Sequence, residues 1–135
     1  MCCKLMGVQF PEALKVQGKW CEHCDKGRGC LIYEQRPQPC RDFECGWLQG
    51  IGVDAMRPDR SHVILVAKMG TESEGWLRDN LPILIVHVDR ANPDAWRQGA
   101  MGRYLQTVVE RNGVILERVK KIHCQLNGFW PEYAL

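Results

Sequence analysis

The pattern of apolar and polar positions divides the chain into an irregular first part and a regular second part. In the second part, short apolar runs rich in β-branched residues occupy residues 62–67 and 83–88, and a third run occupies residues 114–119. Short continuous runs of this kind are typical of strands buried on both faces. They predict three strands of a small sheet, the first two of them central. A brief helix around Trp76-Leu77 is predicted after a capping-box pattern at residues 71–74.

A longer helix is predicted between the second and third strands. Asn92-Pro93-Asp94 offers a cap, a proline at the first helical position and an acidic residue in the first turn. Apolar residues follow a helical period over residues 96–109, and Asn112-Gly113 suits a left-handed helix end. Gly99 and Gly102 fall inside this span, and each is expected to weaken the helix by about 1 kcal/mol.

The first part, residues 1–52, is rich in Gly, Pro and Cys and shows little periodicity. Residues 41–48 are predicted to form one short helix, and a connector with a turn at residues 57–60 follows. A loop-rich segment with so few apolar residues needs disulfides or metal to hold a shape. The predicted fold is α+β in a single domain, 1–135: a Cys-rich, loop-dominated, metal-binding segment packed on a β-α-β-α-β unit (60–135) with a three- or four-stranded sheet.

Composition and charge narrow the classes of function. The chain has 135 residues, 45% hydrophobic and 25% charged, as in soluble globular proteins. Its net charge is +2, from 18 basic and 16 acidic residues, so charge does not point to nucleic acid or to a membrane. No apolar run approaches the roughly 20 residues that span a bilayer, and the N-terminus lacks the apolar stretch of a signal peptide. We therefore expect a cytoplasmic protein, in which clustered thiols bind metal or act catalytically more often than they form disulfides.

Seven of the eight cysteines lie within the first 45 residues. Cys21 and Cys24 form a C-x2-C pair, whose spacing lets two thiolates chelate one ion from a tight turn. Cys40 and Cys45 are separated by four residues and would share one face of the helix predicted there. The predicted metal ligands are the seven clustered cysteines: Cys2, Cys3, Cys21, Cys24, Cys30, Cys40 and Cys45.

The spacing leaves the metal and the number of ions open. The gaps between the successive cysteines of residues 21–45 are 2, 5, 9 and 4 residues, which match neither common ferredoxin pattern. Irregular spacing favours structural zinc, with iron or an iron–sulfur cluster as the alternative. One closed site needs four ligands, so seven thiols would leave some of them spare. Two closed sites need eight ligands, so seven thiols suffice only if one thiolate bridges both ions or His23 is also a ligand. Cys2 and Cys3 either serve different ions or supply one ligand, and a role for Cys124 stays open.

A zinc ion with four thiolates carries a net charge of −2, which nearby cations must offset. Lys4, Lys19, Arg36 and Arg41 are close in sequence to the cysteines. Arg36 and Arg41 are preferred for this role, because they lie inside the cysteine spacing.

Residues 29–45, with the sequence GCLIYEQRPQPCRDFEC, resemble the signature of the YkgJ-like CxxCxxCC family of zinc- or iron-chelating domains. The similarity covers about residues 1–50 and includes the interleaved residues Tyr33, Arg36, Pro37, Arg41 and Phe43. The resemblance implies that Cys30, Cys40 and Cys45 are ligands and that Cys2-Cys3 stands in place of the family's closing Cys-Cys. The family's two preceding cysteines have no direct counterpart, and Cys21 and Cys24 are the candidates to replace them.

No recognised catalytic motif accompanies the cysteines. The sequence has no phosphate-binding Gly loop, no G-x-S-x-G and no H-E-x-x-H. His62 and His87 fall on predicted buried strands, where a histidine with one hydrogen bond is expected. We prefer a zinc-binding protein whose metal is mainly structural and whose partner is an unidentified protein or small molecule. The alternatives are an iron or iron–sulfur protein for redox chemistry or metal handling, and a metalloenzyme with an open coordination position.

Overall fold

The computed structural model describes residues 1–10, 14–71, 81–112, 115–118 and 121–125. These residues form short helices and small antiparallel sheets, which confirms the predicted α+β class. The chain divides into two compact units, Met1–Glu44 and Cys45–Leu135. The division therefore lies before Cys45, whereas the sequence pattern placed the end of the Cys-rich segment at residue 52. Within the described ranges, no helix is long and apolar enough to cross a membrane.

The first unit is built from very short elements. They are helix α1 (Cys2–Leu5), strands β1 (Val8–Gln9), β2 (Leu14–Lys15), β3 (Cys24–Asp25) and β4 (Gly29–Cys30), a 3-10 turn (Tyr33–Gln35) and helix α2 (Gln38–Asp42). Strand β1 pairs antiparallel with β2, and β3 pairs antiparallel with β4. Among the described residues of this unit, Leu5 is the one fully buried apolar side chain, while Leu14 and Leu31 are exposed. Hydrophobic burial therefore contributes little to the described part of this unit.

Helix α2 corrects the helix predicted over residues 41–48. It ends at Asp42, and the next residue, Phe43, is extended with φ −80° and ψ 117°. Pro37 caps the helix and Pro39 lies in its first turn, where a proline has no intrahelical hydrogen bond to lose. The proline-rich segment thus starts the helix. Cys40 lies on α2 and Cys45 does not, so the prediction that the two share one helix face is wrong.

The second unit contains an antiparallel sheet. Its described strands are β5 (Val63–Gly70), β6 (Leu81–Val88), β7 (Ile115–Arg118) and β8 (Lys121–Gln125), in the order β5-β6-β8-β7. The three predicted strands are present, and β6 is central as predicted. Strand β5 lies at the edge of the described sheet, so its predicted central position is wrong. Its first residues, Val63, Ile64 and Leu65, are nevertheless all buried, which explains why the apolar run is continuous.

One face of this sheet packs on helix α4 (Gly99–Asn112). The helix contributes Met101, Leu105 and Val108, which recur at the helical period that the sequence predicted. The buried cluster as a whole consists of Met56, Val63, Leu65, Leu84, Val86, Met101, Leu105 and Val108. The second unit therefore has a conventional hydrophobic core.

Helix α4 begins later than the sequence predicted. Residues Ala95–Arg97 form a separate 3-10 turn, and the helix starts at Gly99 with φ 55°. A Cβ atom at Gly102 would lie 2.2 Å from the backbone oxygen of Arg97. Glycine at this position lets the 3-10 turn lie against the first turn of the helix. The two glycines thus lie in the first turn of the helix, whereas the sequence predicted them in its middle.

The segment between Cys45 and strand β5 is more regular than predicted. A 3-10 turn (Asp54–Met56) and helix α3 (Pro58–Ser61) occupy the predicted connector. His62 ends α3 in the left-handed conformation, with φ 57°, and its N–H donates to the Pro58 carbonyl oxygen at 3.1 Å. His62 therefore precedes strand β5, which corrects its predicted place on the strand. The brief helix predicted around residues 76–77 lies outside the described residues.

Replacing Leu105 with alanine should lower the free energy of unfolding by about 2–5 kcal/mol, because the side chain is 1% exposed at the centre of this cluster. Gln106→Ala, at the adjacent exposed position, is the control and should change stability by no more than about 0.5 kcal/mol. Urea unfolding followed by circular dichroism measures both. An equally small effect of both substitutions would contradict the packing of α4 on the sheet.

Candidate metal centre

A tight turn and a hairpin position Cys21, Cys24 and Cys30. The Cys24 N–H donates to the Cys21 carbonyl oxygen at 3.1 Å, which closes the C-x2-C turn. In the β3–β4 ribbon Cys24 lies directly opposite Cys30. Gly27 and Gly29 both have positive φ, 104° and 105°, a region that glycine reaches at little steric cost. These glycines let the chain reverse within a few residues and bring the two cysteines face to face.

Helix α1 places Cys2 and Cys3 beside the C-x2-C turn. The Cys21 N–H donates to the Cys3 carbonyl oxygen at 2.8 Å. The Cys2 and Cys3 thiols hydrogen-bond each other, and the Cys3 thiol also interacts with the thiol of Cys24. Cys3 therefore lies near both Cys2 and the hairpin cysteine Cys24.

The hydrogen bond between Cys2 and Cys3 shifts their pKa values in opposite directions. Donation from Cys3 lowers the pKa of Cys2 from 9.0 to about 6, because it stabilises the thiolate. The same hydrogen bond, together with burial and the charges of Cys2 and Cys24, raises the pKa of Cys3. The pair therefore carries one thiolate at neutral pH.

Cys40 joins these thiols from helix α2, which contacts strand β1. Burial raises the pKa of Cys40, and the negative charges of Cys21, Cys2 and Cys30 raise it further. The charge of Arg36 acts in the opposite direction. Cys40 therefore lies within electrostatic range of thiols from three other segments.

Six of the seven predicted ligands thus belong to one small unit, and they interact with one another. They are Cys2, Cys3, Cys21, Cys24, Cys30 and Cys40. In the part of the chain that is described, no three Cys, His, Asp or Glu side chains are placed closely enough to hold a metal ion as they stand. The chemistry of the donors suits zinc or iron, because all six are thiols. A metal ion would have to draw the side chains closer together.

Cys45, the seventh predicted ligand, lies in the second unit. It is 6% exposed, and the next residue, Gly46, donates its N–H to the Leu65 carbonyl oxygen at 2.7 Å. Its role as a ligand stays a prediction.

Lys15 is a cation within this group of thiols that the sequence did not reveal. Its ammonium group donates to the carbonyl oxygen of Lys4 at 3.0 Å and to that of Met6. Burial lowers the pKa of Lys15, whereas the charges of Cys21, Cys3 and the neighbouring thiols act to raise it. No local pattern marks this lysine, because the pairing of β2 with β1 brings it to the thiols.

The arginines expected to offset the thiolate charge differ in their surroundings. The Arg36 Nε donates to the Tyr33 carbonyl oxygen at 2.8 Å, and its guanidinium lies 3.7 Å from the centre of the Tyr33 ring. Its charge opposes the rise in the pKa of Cys40 that burial and the neighbouring thiols cause. Arg41 donates to the side chain of Gln38 on the exposed surface. The structure therefore supports Arg36 more directly than Arg41.

His23 lies in the C-x2-C turn with its side chain 45% exposed. Its Nε2 atom is 3.6 Å from the carboxylate of Glu22. Its carbonyl oxygen accepts the Leu31 N–H at 2.8 Å, which extends the β3–β4 ribbon. The backbone of His23 thus supports the hairpin, and its side chain stays an undecided ligand. The side chain of Cys124 lies outside the described residues.

The second unit also contains a cavity that the sequence did not predict. A cavity of about 400 Å³ is lined in part by Ser61, His62, Asn92 and the start of α4. The His62 Nδ1 atom is buried without a hydrogen-bond partner among the described residues and lies 3.8 Å from a carboxylate oxygen of Asp89. The Asp89 N–H donates to the His62 carbonyl oxygen at 3.0 Å. No sequence spacing connects these two residues, because the β5–β6 pairing brings them together.

Comparison with protein-family models, curated proteins and solved structures gives no match to this chain. The resemblance to the YkgJ-like family therefore stays a prediction. The function has to be argued from the chemistry of the cysteines.

The pKa of Cys2 offers a direct test of this arrangement. In a chain that carries no metal on Cys2 and whose first unit is still folded, as slow tryptic cleavage after the partly buried Lys15 shows, the rate of Cys2 alkylation by iodoacetamide should rise with pH around a midpoint near 6, because only the thiolate reacts. Cys3→Ala removes the hydrogen-bond donor and should move the midpoint toward 9, whereas Cys3→Ser keeps a donor and should leave it low. Mass spectrometry of the N-terminal peptide measures the rates. A midpoint near 9 in the unmodified chain would show that the two thiols do not interact.

Proposed function

We propose that the first unit, Met1–Glu44, is a metal-binding module whose zinc ion is mainly structural. Six thiols reach this unit from α1, the C-x2-C turn, the β3–β4 hairpin and α2. Their concentration in so few residues is the observation that carries the proposal. Structural zinc sites commonly take thiolates from separate loops in this way.

Zinc would supply stability that the unit otherwise lacks. Full burial of a side chain such as Leu5 contributes about 1.5–3 kcal/mol. Zinc binding to small thiolate sites contributes about 10–16 kcal/mol, which is several times the contribution of one buried side chain.

Nearby cations support a site made of thiolates. Four thiolates around a dication leave a net charge of −2. The Lys15 ammonium interacts with the charges of several thiols, and Arg36 interacts with Cys40. These two side chains would offset the surplus negative charge and hold the thiols in their deprotonated form.

Ligand number decides between one ion and two. A single closed site uses four thiolates and leaves two of the six in reserve. Two closed sites need eight coordination positions, which six thiols fill only if two of them bridge both ions. Cys45 as a seventh ligand would reduce the bridging thiolates to one.

We propose that the chain belongs to the YkgJ-like family and resides in a reducing compartment such as the cytoplasm. The family resemblance rests on residues 29–45, which contain Cys30, Cys40 and Cys45 together with Tyr33 and Arg36. Reduced thiols are available for metal only where disulfides do not form. An iron or iron–sulfur centre on the same thiols is the alternative to zinc.

Elemental analysis of the anaerobically purified chain tests the proposal. We expect colourless protein with one or two equivalents of zinc, and brown protein would favour iron instead. Cys24→Ser and Cys30→Ser should each lower the metal content, because each removes a thiolate from the hairpin. Glu22→Gln, in the same turn, is the matched control and should keep full metal content. Cys45→Ala measures whether a seventh thiol takes part, and a chain that purifies without metal contradicts the proposal.

Removal of the metal should unfold the first unit and leave the second folded. Trypsin reports this at Lys15, which is partly buried and hydrogen-bonded through its ammonium group. Cleavage after Lys15 should become much faster in the presence of a chelator. Cleavage after Arg28, whose side chain is 85% exposed in the hairpin loop, should be fast with or without metal and serves as the control. An unchanged rate at Lys15 after complete metal removal would show that the metal is not structural.

A further inference from the structure

The backbone holds Cys24 and Cys30 in a particular register. In the β3–β4 ribbon, Cys24 is opposite Cys30, and Asp25 is opposite Gly29. The Leu31 N–H donates to the His23 carbonyl oxygen at 2.8 Å, so the flanking residues form a hydrogen-bonded pair. In an antiparallel ladder, hydrogen-bonded and non-hydrogen-bonded pairs alternate. Cys24 and Cys30 are therefore a non-hydrogen-bonded pair, the kind whose side chains lie closest together.

This register suits a disulfide without movement of the backbone. Cα atoms of a non-hydrogen-bonded pair are about 4.5 Å apart. Disulfides span Cα separations of about 4.4–6.8 Å. Both cysteines are free thiols of intermediate exposure, and an oxidant can therefore reach them.

Cys3 is the competing partner for Cys24, because their thiols interact. That contact is made by side chains alone, and the backbone of Cys3 is tied to this region through the Cys21 N–H. Cys30 is held opposite Cys24 by a ladder that continues on both sides of the pair. Backbone pairing thus fixes the relative position of Cys24 and Cys30 more firmly.

We propose that Cys24 and Cys30 form a redox-sensitive site that a hydroperoxide oxidises to a disulfide, with release of the bound metal. One cysteine thiolate attacks the peroxide, becomes a sulfenic acid and releases water or an alcohol. The second thiol then displaces water from the sulfenic acid and forms the S–S bond. Two thiols and one hydrogen peroxide molecule thus give one disulfide and two water molecules.

Metal binding and disulfide formation exclude each other at this pair. Two thiolates on one tetrahedral zinc ion carry negative charge and lie about 3.8 Å apart, as follows from Zn–S bonds of about 2.3 Å. In a disulfide the sulfur atoms are about 2.05 Å apart and have lost the charge that binds the ion. The release of metal rests on the proposed function, whereas disulfide formation rests on the ribbon alone.

The full chain, purified anaerobically with its metal, is treated with hydrogen peroxide, alkylated and digested with trypsin. Trypsin cleaves after Lys26 and Arg28, between the two cysteines, and does not cleave before Pro37. Cys24 therefore falls on the peptide of residues 20–26 and Cys30 on that of residues 29–41. The expected product is a joined pair of these peptides that separates on reduction, with metal released in proportion.

Variants assign the bond within the joined peptides. Cys24→Ser and Cys30→Ser should each abolish the joined product. Fragment-ion spectra of the joined peptides from the unmodified chain should place the bond between Cys24 and Cys30, with Cys21 and Cys40 alkylated. A bond from Cys21 or Cys40, a link to the peptide containing Cys3, or oxidation without a disulfide would overturn the proposal. A Cys24–Cys30 disulfide in a chain that holds no metal would contradict the proposed function and support the redox site. A chain that holds metal and does not form this disulfide would support the proposed function and contradict the redox site.

Discussion

The described residues of the first unit hold their shape with almost no hydrophobic burial, and their organisation follows from that constraint. Backbone hydrogen bonds connect distant segments at a few points: Cys21 to Cys3, Leu31 to His23 and Gly18 to Lys4. Each such bond contributes only about 0.5–1.5 kcal/mol net. Thiols lie on or beside the residues that make these bonds. Coordination by thiolates would therefore act where the chain segments already meet.

The second unit is stabilised by the burial of apolar side chains. Helix α4 and strands β5 and β6 bury an ordinary cluster of Leu, Val and Met side chains. Cys45 shows the contrast within one residue type, because it is 6% exposed, whereas the six thiols of the first unit are exposed or of intermediate exposure. The chain thus combines one unit with a sufficient core and one unit for which we propose stabilisation by metal coordination.

The sequence predicted the features that depend on local pattern. Continuous β-branched runs located β5 and β6, and Asn112 marked the end of α4. Strand β8 has no such run, and its pairing with β6 depends on the rest of the sheet. Helix α2 was misplaced because prolines disfavour a helix in most positions and favour it in the first turn.

The cysteines of the candidate site were predictable from the sequence, whereas their relative positions and their neighbours were not. Cysteine spacing identified the thiols, but the position of Lys15 depends on strand pairing, and the assignment of Cys45 to the second unit depends on where the chain divides. The contact between His62 and Asp89 likewise comes from the β5–β6 pairing. Pairings between distant segments carry no short-range signal, and these are the features that the sequence left undetermined.

The positive φ angles of Gly27 and Gly29 have a consequence for recognising related chains. Side chains on the hairpin loop can vary freely, but a residue with a Cβ atom at either glycine would strain the turn that sets Cys24 opposite Cys30. The conformational signature of this unit is therefore C-x2-C-x2-G-x-G-C, in which two of the five defining positions are not cysteines. Divergent relatives should be sought by the glycines together with the cysteines, since a count of cysteines alone would not distinguish this hairpin from other thiol-rich segments.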